Sequence, residues 1–104
     1  MSEVVYNIED IRRIVTPIAI KYDVDRVFLF GSYARGEACS SSDIDFVIDK
    51  GRLRGLQFAG MLGDLQESFE KGVDLLSLSG IMKEVGNLDF MQRIEKDMVI
   101  IYEQ

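Results

Sequence analysis

The feature that most constrains this chain is an alternation of charged and apolar residues in the segment SDIDFVID, which begins at Ser42. Successive side chains of a β-strand point to opposite faces of a sheet. The apolar side chains of Ile44, Phe46 and Ile48 would therefore enter the core together, while Asp43 and Asp45 would project from the other face. The segment predicts a half-buried strand over Ile44–Ile48 with two carboxylates at its beginning.

Hydrophobic periodicity divides the rest of the chain into helices and strands. The predicted helices are Ile8–Lys21, Leu53–Glu70 and a short one from Asn87 through Asp97, and the other predicted strands are Arg26–Phe30, Val73–Leu78 and Met98–Tyr102. Strands separated by helices predict an α/β (α+β) fold, a mixed sheet of about four strands flanked by helices. A length of 104 residues predicts one domain over 1–104.

Two details of the helices follow from the same pattern. Asn7 can cap the first helix. The second helix is expected to present one apolar face, made of Leu56, Ala59, Leu62, Leu65 and Phe69. Three glycines weaken that helix, and close packing against a sheet explains them better than a hinge does. These glycines are Gly55, Gly60 and Gly63.

Composition limits the classes of function that the chain can have. Its net charge of −6 argues against broad nonspecific binding of nucleic acid, which needs a basic surface. The sequence contains no histidine, so a general base must be a carboxylate, and Cys39 is the sole cysteine, so no internal disulfide can form. No secretory signal and no membrane-length apolar run is visible. These features together predict a cytoplasmic protein.

The Gly31-Ser32 pair directly follows the predicted strand Arg26–Phe30. Glycine allows a sharp turn and a close approach of a ligand to the backbone. If Ser32 opens a helix, its free N–H groups attract phosphate oxygens. Taken alone, the pair is more often an ordinary turn.

Three aspartates form the second half of the pattern. Adjacent carboxylates such as Asp43 and Asp45 repel each other unless a cation lies between them, and hard oxygen ligands suit Mg²⁺. Asp74, within a predicted strand, is costly to bury unless it is paired or liganded. Each has an alternative interpretation, as an acidic residue on a solvent-facing strand or at a strand edge. Together with a phosphate-competent turn, they favour a two-metal site.

These residues resemble the signature of the minimal nucleotidyltransferases of the DNA polymerase beta superfamily. The segments GSYARGE and SDIDFVID and the final IEKDMVIIYE carry the resemblance, which covers almost the whole chain. The resemblance implies that Asp43 and Asp45 bind divalent metal, two Mg²⁺ ions, and that Asp74 completes the site and helps to orient or deprotonate the acceptor hydroxyl. It implies that Gly31 and Ser32 hold the phosphates of ATP.

Several neighbouring residues are ambiguous. Arg35 lies one helical turn after Ser32, where it can touch phosphate or acceptor or remain a solvated surface arginine. Glu37 and Asp49 are interpreted as surface or capping groups, and Tyr33 as a packing residue and not as a platform for a base.

The chain reaches Gln104 straight after its last predicted strand, which leaves little surface for an acceptor pocket. This favours an acceptor brought by another protein. The resemblance implies an MntA-type antitoxin of a HepT/MntA pair, which adds AMP to a tyrosine of a HEPN-domain ribonuclease toxin. Two other functions stay open. The chain can be a stoichiometric binding antitoxin with an idle or sensory nucleotide site, or a transferase for a small-molecule hydroxyl.

Overall fold

A four-stranded sheet with two helices packed on one face forms the framework of the molecule. The computed structural model describes residues 5–49, 53, 55–78 and 98–104. Its elements are α1 (Ile8–Tyr22), β1 (Arg26–Phe30), α2 (Gly31–Ala34), β2 (Ile44–Asp49), α3 (Leu56–Ser68), β3 (Val73–Ser77) and β4 (Val99–Glu103). The predicted fold class is confirmed, and each strand lies within one residue of its predicted bounds. The predicted helix from Asn87 through Asp97 falls outside the described residues.

The order of strands across the sheet is β3-β2-β1-β4. The central strand β1 is antiparallel to β2 and to β4, whereas β2 and β3 are parallel and are separated in sequence by α3. Parallel neighbours need such a crossover connection. Because β1 runs opposite to β2 and β3, the end of β1 lies beside the beginnings of the other two strands.

Helix α1 begins where the sequence predicts. The Asn7 side chain accepts a hydrogen bond from the backbone N–H of Asp10 at 2.7 Å, which satisfies one of the free donors of the first turn. A buried stripe on this helix packs against the sheet, made of Ile11, Val15, Ile18 and Ala19. No helix in the described part of the chain is long and apolar enough to cross a membrane.

Helix α3 is shorter than predicted, and its buried face is different. It begins at Leu56 because Gly55, with φ of 54°, breaks the helical path after the buried Leu53. Leu56 is 91% exposed and Ala59 is also exposed, so the predicted face was wrong at this end. The prediction is confirmed for Leu65 and Phe69, which are buried, and Leu62 is partly buried. The helix also buries Met61, with Phe58 partly buried beside it.

The glycines of α3 differ in their surroundings. A Cβ atom added to Gly60 would lie 3.0 Å from the Tyr22 hydroxyl of α1, whereas one added to Gly63 would meet nothing within 4 Å. Gly60 is closely packed, but against helix α1 and not against the sheet as predicted, and the prediction was also wrong for Gly55 and Gly63, where an added Cβ atom would meet nothing within 4 Å.

This contrast predicts opposite outcomes for two matched substitutions. Gly63→Ala should raise the free energy of unfolding by up to about 1 kcal/mol, because alanine favours the helix and has free space. Gly60→Ala should gain less or lose stability, since Tyr22 must shift while its hydroxyl bonds Asp64 at 2.8 Å. Urea unfolding of both variants measures the difference, and equal gains would show that Tyr22 yields without cost.

Candidate active site

Three sequence motifs meet at one end of the sheet. Phe30, the last residue of β1, pairs with Asp45 of β2, and Asp45 pairs on its other side with Asp74 of β3. Gly31 follows Phe30 directly, and Asp43 lies one residue before β2. The strand directions therefore bring the glycine turn and all three predicted aspartates to the same end of the sheet.

Gly31 provides the space that the Asp45 carboxylate occupies. Its φ is +75°, in the left-handed region that favours glycine, and a Cβ atom there would lie 2.7 Å from Asp45 Oδ2. The carboxylate thus packs directly on the backbone of the turn. Gly31 is needed for two reasons, its backbone conformation and this close approach.

A second glycine, Gly72, does the same for Asp43, and the sequence analysis missed it. A Cβ atom at Gly72 would lie 2.6 Å from Asp43 Oδ1, and the Gly72 carbonyl accepts a hydrogen bond from the Ile44 N–H at 2.9 Å. A glycine just before a predicted strand is a signal of close backbone approach that could have identified it. Each of the first two aspartates is therefore accommodated by a glycine.

The carboxylates at this end of the sheet act on one another. Burial raises the pKa of Asp45, and the negative charge of Asp74, a hydrogen bond between the two carboxyl groups and the charge of Asp43 raise it further. Like charges close together disfavour ionisation unless a cation compensates them. Without a bound metal ion, burial and the neighbouring carboxylates therefore destabilise the charged form of Asp45.

This donor set fits a divalent magnesium ion. Mg²⁺ prefers oxygen ligands and is usually held by one or two carboxylates together with substrate phosphates, and a cation would relieve the repulsion at Asp45. Within the described ranges, no three Asp, Glu or Cys side chains form a preassembled metal cage. The structure brings Asp45 and Asp74 together, and Asp43 stands beside Gly72, exposed to solvent.

The predicted phosphate-binding turn forms the short helix α2. Ser32 is its second residue and is partly exposed, and Phe30 caps the helix without a side-chain hydrogen bond. The first N–H groups of a helix have no partner within it and attract anionic oxygens. Gly31 and Ser32 therefore lie where phosphate oxygens could approach the backbone beside Asp45.

The ambiguous neighbours have local roles in the structure. The Arg35 guanidinium is exposed and pairs with Glu37 at 3.2 Å, so its predicted contact with nucleotide stays a prediction. Asp49 pairs with Arg26 at 2.7 Å at the far end of β2, as expected of a surface group. Tyr33 is 4% exposed and belongs to the hydrophobic core, which confirms its packing role.

Comparison with protein families gives a match over most of the chain. The model described as "Polymerase beta, Nucleotidyltransferase" matches residues 13–104. A protein of Methanocaldococcus jannaschii named "Putative protein adenylyltransferase MJ0435" is 38% identical over 76 residues, which span 72% of this chain and 82% of that protein.

Solved structures share the fold at lower identity. A structure described as a toxin-antitoxin with AMP-PNP has a TM-score of 0.69 and 18% identity, and the match covers 89% of this chain and 73% of that one. A mutant of the toxin-antitoxin MntA-HpeT has a TM-score of 0.64, also at 18% identity, over 95% of this chain and 75% of its own. At these identities the likeness shows a common fold.

Proposed function

We propose that this chain, which belongs to the polymerase beta nucleotidyltransferase family, transfers AMP from ATP to a tyrosine hydroxyl of a cognate HEPN-domain ribonuclease toxin and thereby neutralises that toxin. Family membership makes the chain a nucleotidyltransferase. The observation that carries the proposal is the meeting of Asp45, Asp74 and the Gly31 turn at one end of the sheet. The relative named as a protein adenylyltransferase supports a protein acceptor, and the toxin-antitoxin neighbours support a toxin.

Different residues at this end of the sheet would bind the metal and the nucleotide. Asp43 and Asp45 would hold Mg²⁺, in a site for two ions, and Asp74 would complete it. Magnesium, when bound, supplies neutralisation of charge on the phosphates and a lower pKa for the attacking hydroxyl. Gly31 and Ser32 would bind the nucleotide phosphates through backbone N–H groups, because glycine leaves the backbone open to close approach.

The reaction is an in-line displacement at phosphorus. The acceptor oxygen forms a bond to the α-phosphorus of ATP, the bond from that phosphorus to the bridging oxygen breaks, and pyrophosphate leaves with its electron pair. The hydroxyl proton would pass to a carboxylate, the role that we assign to Asp74, and then to solvent. A chain without histidine can supply this chemistry, because carboxylates serve as general bases.

The charge of the chain supports a protein partner. A net charge of −6 complements a basic surface, such as one that a ribonuclease uses to bind RNA, and disfavours direct binding of nucleic acid. A heteromeric complex in the cytoplasm is part of the proposal. AMP added near the toxin's active site would exclude RNA by negative charge and bulk.

Coexpression with the toxin separates transfer from stoichiometric binding. Asp43→Ala should abolish protection of cells from the toxin, because a metal ligand is lost while the fold stays intact. Asp25→Ala is the matched control, since Asp25 is exposed and lies at the opposite end of the sheet, beside Asp49. Full protection by Asp43→Ala would favour a binding antitoxin and contradict the proposed transfer.

A further inference from the structure

One lysine beside the candidate site contacts two of the segments that form it. Lys71 Nζ donates a hydrogen bond to the Tyr33 hydroxyl at 2.6 Å and another to the Cys39 carbonyl oxygen at 3.2 Å. Tyr33 belongs to α2, and Cys39 lies in the loop between α2 and β2. Lys71 itself comes two residues before β3, so its ammonium group joins the phosphate turn, this loop and the strand of Asp74.

The Tyr33 end of this arrangement is fixed. The Tyr33 side chain is 4% exposed and is part of the hydrophobic core, and Lys71 Nζ lies 5.0 Å from the centre of its ring. The hydroxyl of a packed tyrosine is therefore a rigid point to which the flexible lysine side chain is bound.

The loop at the other end is short and exposed. Cys39 and Ser42 close a turn, in which the Ser42 N–H bonds the Cys39 carbonyl at 3.0 Å and the Ser42 hydroxyl accepts from the Cys39 N–H at 3.0 Å. Asp43 follows this turn directly, so the position of the turn determines the position of the Asp43 carboxylate. The hydrogen bond from Lys71 ties the turn to the rest of the fold.

The charge of Lys71 is also unusual within the described part of the chain. The other lysines and arginines there each pair with a carboxylate: Arg12, Arg13, Lys21, Arg26 and Arg35. Lys71 instead donates to two neutral oxygen atoms, the Tyr33 hydroxyl and the Cys39 carbonyl. Hydrogen bonds from a charged donor are stronger than those between neutral groups, which suits a group that holds a loop in place.

We infer that Lys71 is a positioning residue, which fixes the turn Cys39–Ser42 against Tyr33 and the start of β3 and thereby holds Asp43 beside Gly72. Its effect on transfer rests on the proposed function, whereas its hold on the turn does not. Of these three residues the family signature contains only Tyr33, in GSYARGE, and residues 33, 39 and 71 meet only through the fold.

The thiol of Cys39 reports on the turn without any enzyme assay. Hydrogen bonds from the Ser41 hydroxyl and then the Ser42 hydroxyl lower the pKa of Cys39 to about 7. Because the thiolate is the form that reacts, the rate of alkylation by iodoacetamide should reach half its maximum near pH 7. Cys39 is the sole cysteine, so the modified mass gives the rate directly.

Two substitutions remove the contact in different ways. Lys71→Met keeps the apolar stem and removes the ammonium group, whereas Tyr33→Phe keeps the ammonium group and removes its acceptor. Both should raise the pH of half-maximal alkylation toward 9, the ordinary pKa of the thiol. Lys21 lies on α1 and pairs with Asp64. Lys21→Met therefore removes the same charge elsewhere in the fold and should leave the pH of half-maximal alkylation unchanged.

The same variants then test the effect on catalysis. Loss of a group that orients a metal ligand lowers activity by about 10- to 100-fold, so kcat should fall in Lys71→Met while the Lys21→Met control keeps it. An unchanged alkylation profile in both variants would overturn the inference. A change in Lys71→Met alone would also overturn it, because the lost charge of Lys71, and not the release of the turn, would then be responsible. If wild-type protein shows no transfer, the proposed function fails, and the alkylation result still decides the role of Lys71.

Discussion

Replacing Asp45 with asparagine should reduce AMP transfer by at least about 100-fold, the scale of losing one preorganised electrostatic group at a reacting centre. The same change should raise the melting temperature in buffer without Mg²⁺. Burial and the neighbouring carboxylates of Asp74 and Asp43 raise the pKa of Asp45, so its charged form works against folding. Asparagine has nearly the same shape without that charge.

Asp49→Asn is the matched control for this prediction. Asp49 lies on the same strand, four residues further along, and pairs with Arg26 at the far end from the site. Its substitution should leave transfer unchanged and should lower stability slightly, if at all, because partly exposed ion pairs contribute little. A loss of transfer in Asp49→Asn equal to that in Asp45→Asn would indicate a general effect of charge and not a site.

Gly31→Ala should be strongly damaging, because two separate costs arise at this position. Alanine at φ of +75° costs about 1–2 kcal/mol from backbone strain. Its Cβ atom would also lie 2.7 Å from Asp45 Oδ2 and must displace the carboxylate. We expect lower stability together with loss of nucleotide binding and of transfer, since the turn and the metal ligand move together.

Gly36→Ala separates these two causes. Gly36 has nearly the same φ, +73°, and a Cβ atom there would meet nothing within 4 Å. The two variants should therefore share the cost of backbone strain, and the further loss in Gly31→Ala measures the displacement of Asp45. Thermal unfolding and equilibrium binding of a non-hydrolysable ATP analogue give both quantities. Equal behaviour of the two variants would show that the contact between Gly31 and Asp45 has no functional role.

Local sequence signals predicted the start of α1 and the positions of the strands, because a single chemical feature marked each of them. Asn7 caps α1 as expected, and the alternation around Asp45 defined β2 to within one residue. Helix α3 was harder, because its apolar residues fit more than one stripe at a helical period. Tertiary packing buried Met61 and left Leu56 exposed.

The sequence predicted which types of residue form the site, but it did not predict the contacts between them. Spacing identified Asp43 and Asp45, but the neighbourhood of Asp45 and Asp74 depends on strand order and register, which the spacing does not give. Gly72 had a detectable signal in its place before a strand. Lys71 had none, since its hydrogen bonds join residues 32 and 38 positions apart in the chain.

We propose that the end of the sheet formed by Gly31, Asp45 and Asp74 transfers AMP to a partner protein. Intact-mass spectrometry tests this directly, after the chain is incubated with Mg-ATP and the proposed toxin partner. We predict that the toxin gains mass in whole AMP units, and that the gain is absent with the Asp43→Ala/Asp45→Ala double variant. An unchanged toxin mass in a complex that still forms would contradict the claim.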